Sequence, residues 1–193
     1  MTNDPPSDRP YLSATLCAAA GCTPVTFRAW RNRNGLFPEM RGDDGWKRFS
    51  FEDICAVRVV VELTDGSKKN TAQFAVDVAN ELRPVFGILM GDDAENLKHY
   101  AVIGGYRGDF GDEPTSVDMI LCGGWESIAE AVTRRSAYAT ATIVDLIAVM
   151  SFVIEQLKEL GGGRVATPEE TVSIVAKSIA KALAVQPDDE ETK

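Results

Sequence analysis

The stretch GCTPVTFRAWRNRNG, residues 21–35, carries the clearest helix signals in the N-terminal part of the chain. Thr23 precedes Pro24, and a threonine N-cap followed by a proline at the first helical position is a typical helix start. Gly35 is a typical helix end, so we expect a short helix that runs to about Arg33.

A second helical pattern comes just before this stretch. Leu12, Leu16 and Ala19 recur at helical spacing, Ser13 is a candidate N-cap, and Gly21 is suited to end the helix. Two short helices joined by about three residues that include a glycine are typical of a helix-turn-helix.

Two further helices are expected after this pair. A glycine-rich loop or short hairpin over residues 36–49 comes first. Ser50 should cap the third helix, with Asp53 at the capping-box position. The fourth helix should cover about residues 70–82, because Pro84 then interrupts the helical pattern.

Beyond Pro84 the pattern changes to short apolar segments separated by Gly-Asp clusters. VFGILM (85–90), HYAVIGGY (99–106) and VDMILC (117–122) predict three strands of a small antiparallel sheet. A helix of about eight residues should follow, from Glu126 to Thr133.

The most regular helical pattern covers residues 136–160. Its apolar positions step by three or four residues, which is a heptad-type seam. Only residues 136–154 approach membrane length, and Asp145 near their middle argues against a membrane span. Because a second face is also apolar, we expect this helix to pair with a second copy of the chain. The predicted dimerisation residues are Tyr138, Leu146, Val149, Val153 and Leu157. A capping box at residues 167–170 should open a last amphipathic helix.

Positive charge is concentrated near the N-terminus of an acidic chain. The net charge is −9, yet residues 9–50 contain seven Lys or Arg and only three Asp or Glu. A basic segment in an acidic protein points to a polyanionic partner. Since the second helix of a helix-turn-helix fits the major groove, the expected partner is double-stranded DNA.

The second helix should have one buried and one exposed face. Phe27 and Trp30 lie three residues apart and are expected to face inward. The exposed side would carry Val25, Thr26, Arg28, Ala29 and Arg31 or Asn32. Cations of the following loop should contact phosphate groups beside the groove. These are Arg41, Lys47 and Arg48.

The segment ATLCAAAGCTPVTFRAWRNRNGLFP (14–38), followed by GWKRFSFEDICAVRVVVEL (45–63), resembles the MerR-type winged helix-turn-helix. The resemblance covers about residues 11–82. The matching positions are Gly21, Thr23, Thr26, Phe27, Arg28, Trp30, Gly35, Leu36, Pro38, Gly45, Trp46, Lys47, Phe49, Ser50 and Asp53. It implies that Thr26 and Arg28 contact DNA and that the wing holds the DNA backbone through Lys47 and Arg48. Trp46 and Phe49 would anchor the wing.

The chain also departs from the family pattern. Ala29 and Trp30 stand where two adjacent aromatic residues are usual, and Arg31 stands where an acid is common. The stretch between Arg28 and Gly35 is one residue longer than usual. Residues 84–193 match no sensor domain of the family.

These patterns predict an α+β protein, mostly helical, with a winged helix-turn-helix followed by a small antiparallel sheet and a long dimerisation helix. The predicted parts are a disordered arm (1–10), a DNA-binding domain (11–83), a dimerisation or sensor domain (84–185) and an acidic tail (186–193). We expect a cytoplasmic, non-enzymatic transcription regulator that acts as a homodimer without a cofactor or metal. The predicted DNA-binding residues are Thr23, Thr26, Arg28, Arg31, Arg33, Arg41, Lys47 and Arg48.

Three alternatives stay open. A phage-type DNA-packaging protein, similar to a terminase small subunit, also places a winged helix-turn-helix before oligomerisation helices. An enzyme or ligand-binding module over residues 84–160 would use clustered acids, although the only histidine, His99, excludes a multi-histidine metal site within one chain. The four cysteines suit reduced, buried thiols, with a redox or metal sensor as the alternative. They are Cys17, Cys22, Cys55 and Cys122.

Overall fold

A computed structural model describes residues 10–40, 48–65, 70–90, 100–110, 113–134 and 141–160. For 104–110, 113–121, 131–134 and 141 only the backbone is described. The described part is mostly helical with a small antiparallel sheet, so the α+β class that the sequence predicts is confirmed at this level.

The N-terminal elements are short. Strand β1 (Tyr11–Leu12) leads into helix α1 (Ser13–Ala20), and helix α2 (Pro24–Ala29) continues as a π-helical turn over Trp30–Asn34. A 3-10 turn covers Pro38–Met40. Strand β2 (Arg48–Phe49) then pairs antiparallel with β1. Ser13 is not the N-cap of α1, because the helix begins one residue earlier than expected, with Leu12 as a cap that supplies no side-chain hydrogen bond.

Helix α3 (Phe51–Thr64) has the predicted capping box, in which the Ser50 hydroxyl accepts from the Asp53 N–H and the Asp53 carboxylate accepts from the Ser50 N–H. Helix α4 (Ala72–Leu89) continues through Pro84. The strand predicted at residues 85–90 is therefore wrong. An apolar stripe that continues to the buried Leu82, Phe86 and Leu89 keeps this segment helical.

The main sheet has three antiparallel strands in the order β4-β3-β5. These are β3 (Tyr100–Phe110), β4 (Glu113–Gly123) and β5 (Ala141–Asp145). Helix α5 (Trp125–Arg134) follows β4 and agrees with the predicted short helix. The strands expected at residues 99–106 and 117–122 correspond to β3 and β4. The third strand of the sheet is β5, not the segment 85–90.

The long helix predicted over residues 136–160 is only partly present. Residues 141–145 form β5, paired with β3 from Tyr100 to Gly104, and helix α6 (Leu146–Glu159) begins after them. Asp145 is the N-cap of α6, because its carboxylate accepts a hydrogen bond from the Ala148 N–H at 2.9 Å. A side chain that looked like a charge inside a helix is thus the start of one.

The predicted dimer seam lies in the chain's own core. Leu146, Val149, Val153 and Leu157 are buried by contacts within one chain, where α6 packs against α1 and α3. Tyr138 lies outside the described residues. These four residues are consequently not an exposed surface for a second copy.

One cluster of buried apolar side chains extends from Tyr11 to Leu157. The boundary predicted between residues 83 and 84 falls inside α4, and side chains on both sides of it belong to this cluster. Within the described residues, no helix is long and apolar enough to cross a membrane. Residues 1–9 of the predicted arm, the acidic tail and the last amphipathic helix lie outside the described residues.

Candidate nucleic-acid interface

Helix α2 starts as the sequence predicts. The Thr23 hydroxyl oxygen accepts a hydrogen bond from the Thr26 N–H at 3.1 Å, and Pro24 occupies the first helical turn. The Thr23 and Thr26 hydroxyl groups also share a hydrogen bond of 2.8 Å. Both threonines therefore stabilise the start of α2, whatever else they contact.

The two faces of α2 are clearly different. Phe27 is 3% exposed and Trp30 is also buried, whereas Val25 is 72% exposed and Arg28 is exposed. Phe27 belongs to a cluster of three aromatic rings with Phe37 and Phe49, whose centroids are 5.5–6.4 Å apart in edge-to-face or tilted arrangements. This cluster fixes which side of α2 faces solvent.

The end of α2 is wound as a π-helical turn. The Gly35 N–H donates to the Trp30 carbonyl oxygen, and Gly35 has a φ of 80°, the left-handed conformation that glycine adopts without a steric cost. A π-helical turn accommodates one residue more than an α-helical turn does. Arg33, in this turn, is exposed.

Arg31 is half-buried, unlike the exposed Arg28 and Arg33. Its guanidinium donates to the Met40 carbonyl oxygen at 3.2 Å and lies about 6 Å from the ring centroids of Phe27 and Phe49. Burial lowers the pKa of this guanidinium, and the nearby Glu39 acts in the opposite direction. Of the two residues expected as alternatives on the exposed side, Asn32 is exposed and Arg31 is half-buried against the aromatic cluster.

Helix α4 holds the segment after α2 through side chains that the sequence analysis did not identify. Asn80 accepts from the Phe37 N–H and donates to the Gly35 carbonyl oxygen, both at 3.1 Å. Gln73 donates to the Asn34 carbonyl oxygen at 3.0 Å. Gln73 and Asn80 are seven residues apart on one face of α4, and this spacing of amides is the sequence signal that could have revealed them.

A buried ion pair joins α4 to α3 at the same place. Arg83 Nε lies 2.6 Å from Oδ1 of Asp53, whose side chain is fully buried. The same guanidinium pairs with Glu39 and lies 5.1 Å from the Phe37 ring centroid. Arg83 thereby links the capping box of α3 to the segment that follows α2.

Arg48 is exposed on β2, where it donates to the Pro10 carbonyl oxygen at 3.2 Å. Residues 41–47, which include the predicted wing residues Arg41, Trp46 and Lys47, lie outside the described residues. Of the predicted cations, the described structure brings Arg28, Arg33 and Arg48 to the surface. None of them forms an ion pair with a carboxylate of the described segments.

A cavity of about 340 Å³ opens between α3 and the start of α6. Its charged groups already have partners: Arg58 pairs with Glu62, donates to the Ala20 carbonyl oxygen and lies 3.7 Å from the Phe152 ring centroid, and Asp145 caps α6. We therefore assign no ligand to this cavity.

The acids considered for an enzyme or ion site fall largely beyond the described side chains. Asp92, Asp93 and Asp112 lie outside the described residues, and only the backbone is described at Asp109 and Glu113. Among the side chains that the structure does describe, no group of three or more His, Cys, Asp or Glu is arranged to hold a metal ion.

The arrangement around α2 is thus a short helix fixed by a buried aromatic cluster, with arginines on its solvent side. No family model and no curated protein matches this chain.

Proposed function

We propose that this protein is a sequence-specific DNA-binding transcription regulator of MerR-like type that binds double-stranded DNA as a homodimer. The observation that carries the proposal is the exposed face of α2, where Val25 and Arg28 face solvent and Thr26 is half-buried, whereas Phe27 and Trp30 are buried. Three residues separate α1 from α2, and a connection of this length is typical of a helix-turn-helix, which supports the proposal.

The size of α2 suits the major groove. Pro24–Asn34 contains eleven helical residues, which is roughly 16 Å of helix at about 1.5 Å per residue. The major groove admits a helix, and arginine there most often donates to guanine O6 and N7. Arg28 would read a guanine, and Val25, about one turn earlier, could contact a thymine methyl group.

Phosphate contacts would come from cations around this helix. Arg33 and Arg48 are exposed. In the MerR-type resemblance, Lys47 belongs to the wing that follows, and β2 with its partner β1 would form the base of that wing. The extra residue between Arg28 and Gly35 is accommodated by the π-helical turn, so this departure leaves the orientation of Arg28 intact.

The homodimer follows from the energetics of binding. One copy with only a few phosphate contacts would bind weakly at physiological salt, since affinity falls steeply as salt displaces such contacts. Two copies on two half-sites, one helical turn or a multiple apart, supply useful specificity.

The test is selection of bound sequences from a random DNA library by the full chain. A palindromic motif is the expected result, because a two-fold symmetric protein selects a two-fold symmetric site. Arg28→Ala should lose about 1–3 kcal/mol on the selected site and discriminate less at one base pair. Arg33→Ala should weaken binding to all sequences alike and reduce the salt slope by about one ion.

Lys158→Ala is the matched control, because it removes one exposed cation from α6, away from α2. If no sequence is enriched, or if Arg28→Ala binds the library as the wild-type protein does while remaining folded, the proposal is wrong. A selected motif without two-fold symmetry would contradict the homodimer alone.

A further inference from the structure

Cys17 and Cys22 are brought together by the way α1 ends. Gly21 has a φ of 77°, the Cys22 N–H donates to the Cys17 carbonyl oxygen at 2.9 Å, and the Gly21 N–H donates to the Ala18 carbonyl oxygen at 3.2 Å. These two bonds define a Schellman motif. In this motif the side chains at the positions of Cys17 and Cys22 normally contact each other, so the backbone itself places one thiol beside the other.

The proximity of the two thiols changes the pKa of each of them. Cys17 is buried and Cys22 is partly exposed, so the pair is reached from the Cys22 side. The hydrogen bond from Cys22 and the positive charge of Arg28 lower the pKa of Cys17, whereas the same contact and burial raise the pKa of Cys22. The contact thus favours loss of the proton from Cys17 over loss of the proton from Cys22.

Cys55 has a contrasting environment. It is fully buried in α3, and burial raises the pKa of its thiol. A buried thiol of this kind is chemically inert. Cys55 therefore serves as an internal reference for a cysteine that packs in the core without reacting.

We propose that Cys17 and Cys22 form an oxidation site that a hydroperoxide converts into an intramolecular disulfide. A small oxidant is required because Cys17 is buried, and hydrogen peroxide meets this requirement better than a bulky disulfide. The pair lies at the turn between α1 and α2, directly before the Thr23 cap. Formation of this disulfide would not require bound DNA.

The reaction has two steps. The Cys17 thiolate attacks one oxygen of hydrogen peroxide, the O–O bond breaks, and hydroxide leaves, which yields a sulfenic acid on Cys17. Cys22 then loses its proton and attacks the Cys17 sulfur, the S–O bond breaks, and water is released. The two thiols are oxidised to one disulfide while one peroxide is reduced to two waters.

The test treats the folded full-length chain with hydrogen peroxide, blocks remaining thiols with iodoacetamide and maps the peptides by mass spectrometry. Trypsin leaves both cysteines in one peptide, residues 1–28, since Arg9 is followed by Pro10. This peptide should lose two hydrogen atoms and take up no label, and a thiol reductant should restore both labels. The Cys55 peptide should be labelled only after unfolding.

Three variants sharpen the result. Cys22→Ser should prevent the loss of hydrogen and leave a Cys17 sulfenic acid that dimedone traps. Cys22→Ala repeats this test without a hydroxyl group. Cys122→Ser should behave as the wild-type chain does, because Cys122 lies on β4, away from the pair.

Three outcomes would overturn the proposal: full labelling of both thiols after peroxide treatment, a disulfide to another cysteine or another chain, and a disulfide that forms only after unfolding. Each is read from peptide masses without DNA, so the failure of this proposal and the failure of DNA binding are distinguishable.

Discussion

Gly21 and Gly87 differ in whether their surroundings and backbone conformation can accept a side chain. Gly21 ends α1 at a φ of 77°, and a Cβ added there would lie 3.0 Å from Nη1 of Arg58. Gly87 lies inside α4, where the nearest described atom to an added Cβ is 3.8 Å away. Gly21→Ala should therefore lower the free energy of unfolding by about 1–2 kcal/mol.

Gly87→Ala is the matched change, and it should raise the free energy of unfolding by about 0.5–1 kcal/mol because alanine favours a helix more than glycine does. Urea unfolding of both variants gives the comparison. Equal shifts in the two variants would mean that the left-handed conformation at Gly21 does not matter for stability.

The buried pair between Arg83 and Asp53 gives a second residue-scale prediction. Arg83→Met leaves a carboxylate without its guanidinium in a fully buried position. We expect a loss of about 3 kcal/mol, at the low end for breaking a buried pair because the Arg83 side chain is one-fifth exposed. Chemical denaturation measures this loss.

Glu62→Gln is the control, since it breaks the more exposed pair with Arg58 on α3. Its expected cost is below about 0.5 kcal/mol. If both variants lose the same free energy of unfolding, the burial of Asp53 does not determine how much the Arg83–Asp53 pair contributes to stability.

The residues that sequence reasoning identified correctly act locally. Thr23, Ser50 and Gly21 cap helices through bonds to neighbours within a few positions, so their roles are visible in a short stretch. The orientation of Arg31 could not be predicted, because it depends on Met40 and Phe49, which only folding brings near. Asn80 was missed for the same reason, since its partners precede it by more than forty residues.

At the scale of elements, the errors come from segments that suit two structures. Residues 85–90 combine β-favouring side chains with a preceding proline, yet burial of Phe86 and Leu89 keeps them in α4. Residues 141–145 fit the heptad-like spacing of apolar residues predicted for 136–160. They nevertheless form strand β5, which their β-branched side chains favour. In both cases the tertiary contacts, which short sequence windows do not show, decide between helix and strand.

The reassigned start of α6 is itself testable. Asp145→Ala removes the carboxylate that accepts from the Ala148 N–H, so the free energy of unfolding should fall by about 1 kcal/mol. Glu155→Ala removes a carboxylate from the exposed middle of the same helix and should change stability by less than about 0.5 kcal/mol. Thermal unfolding followed by circular dichroism compares them. A helix that extends unbroken from residue 136 predicts no difference.

At the scale of the whole molecule, α6 is the element that joins the N-terminal helices to the sheet. It packs against α1 and α3 and follows directly from β5, so its apolar side chains belong to the core shared by both parts. An interface between two copies must then use another surface. Apart from Val25, which would face DNA, the exposed large apolar side chains of the described segments are the candidates for this surface, and they are Leu12, Ile88, Trp125, Ile143 and Leu160.

Leu146→Ala and Leu160→Ala separate a core residue from a surface residue at opposite ends of α6. Leu146 is fully buried, so its truncation should cost about 2–5 kcal/mol of unfolding free energy. Leu160 is 49% exposed, and its truncation should cost less than about 0.5 kcal/mol.

If the chain forms a dimer, Leu146→Ala should leave the dissociation constant of the folded protein unchanged, because this side chain does not reach the surface. Sedimentation equilibrium and urea unfolding on the same samples measure the two quantities. If the Leu146→Ala protein dissociates into stable folded monomers, the predicted seam of α6 does belong to the dimer interface. A ring of many copies would favour the DNA-packaging alternative.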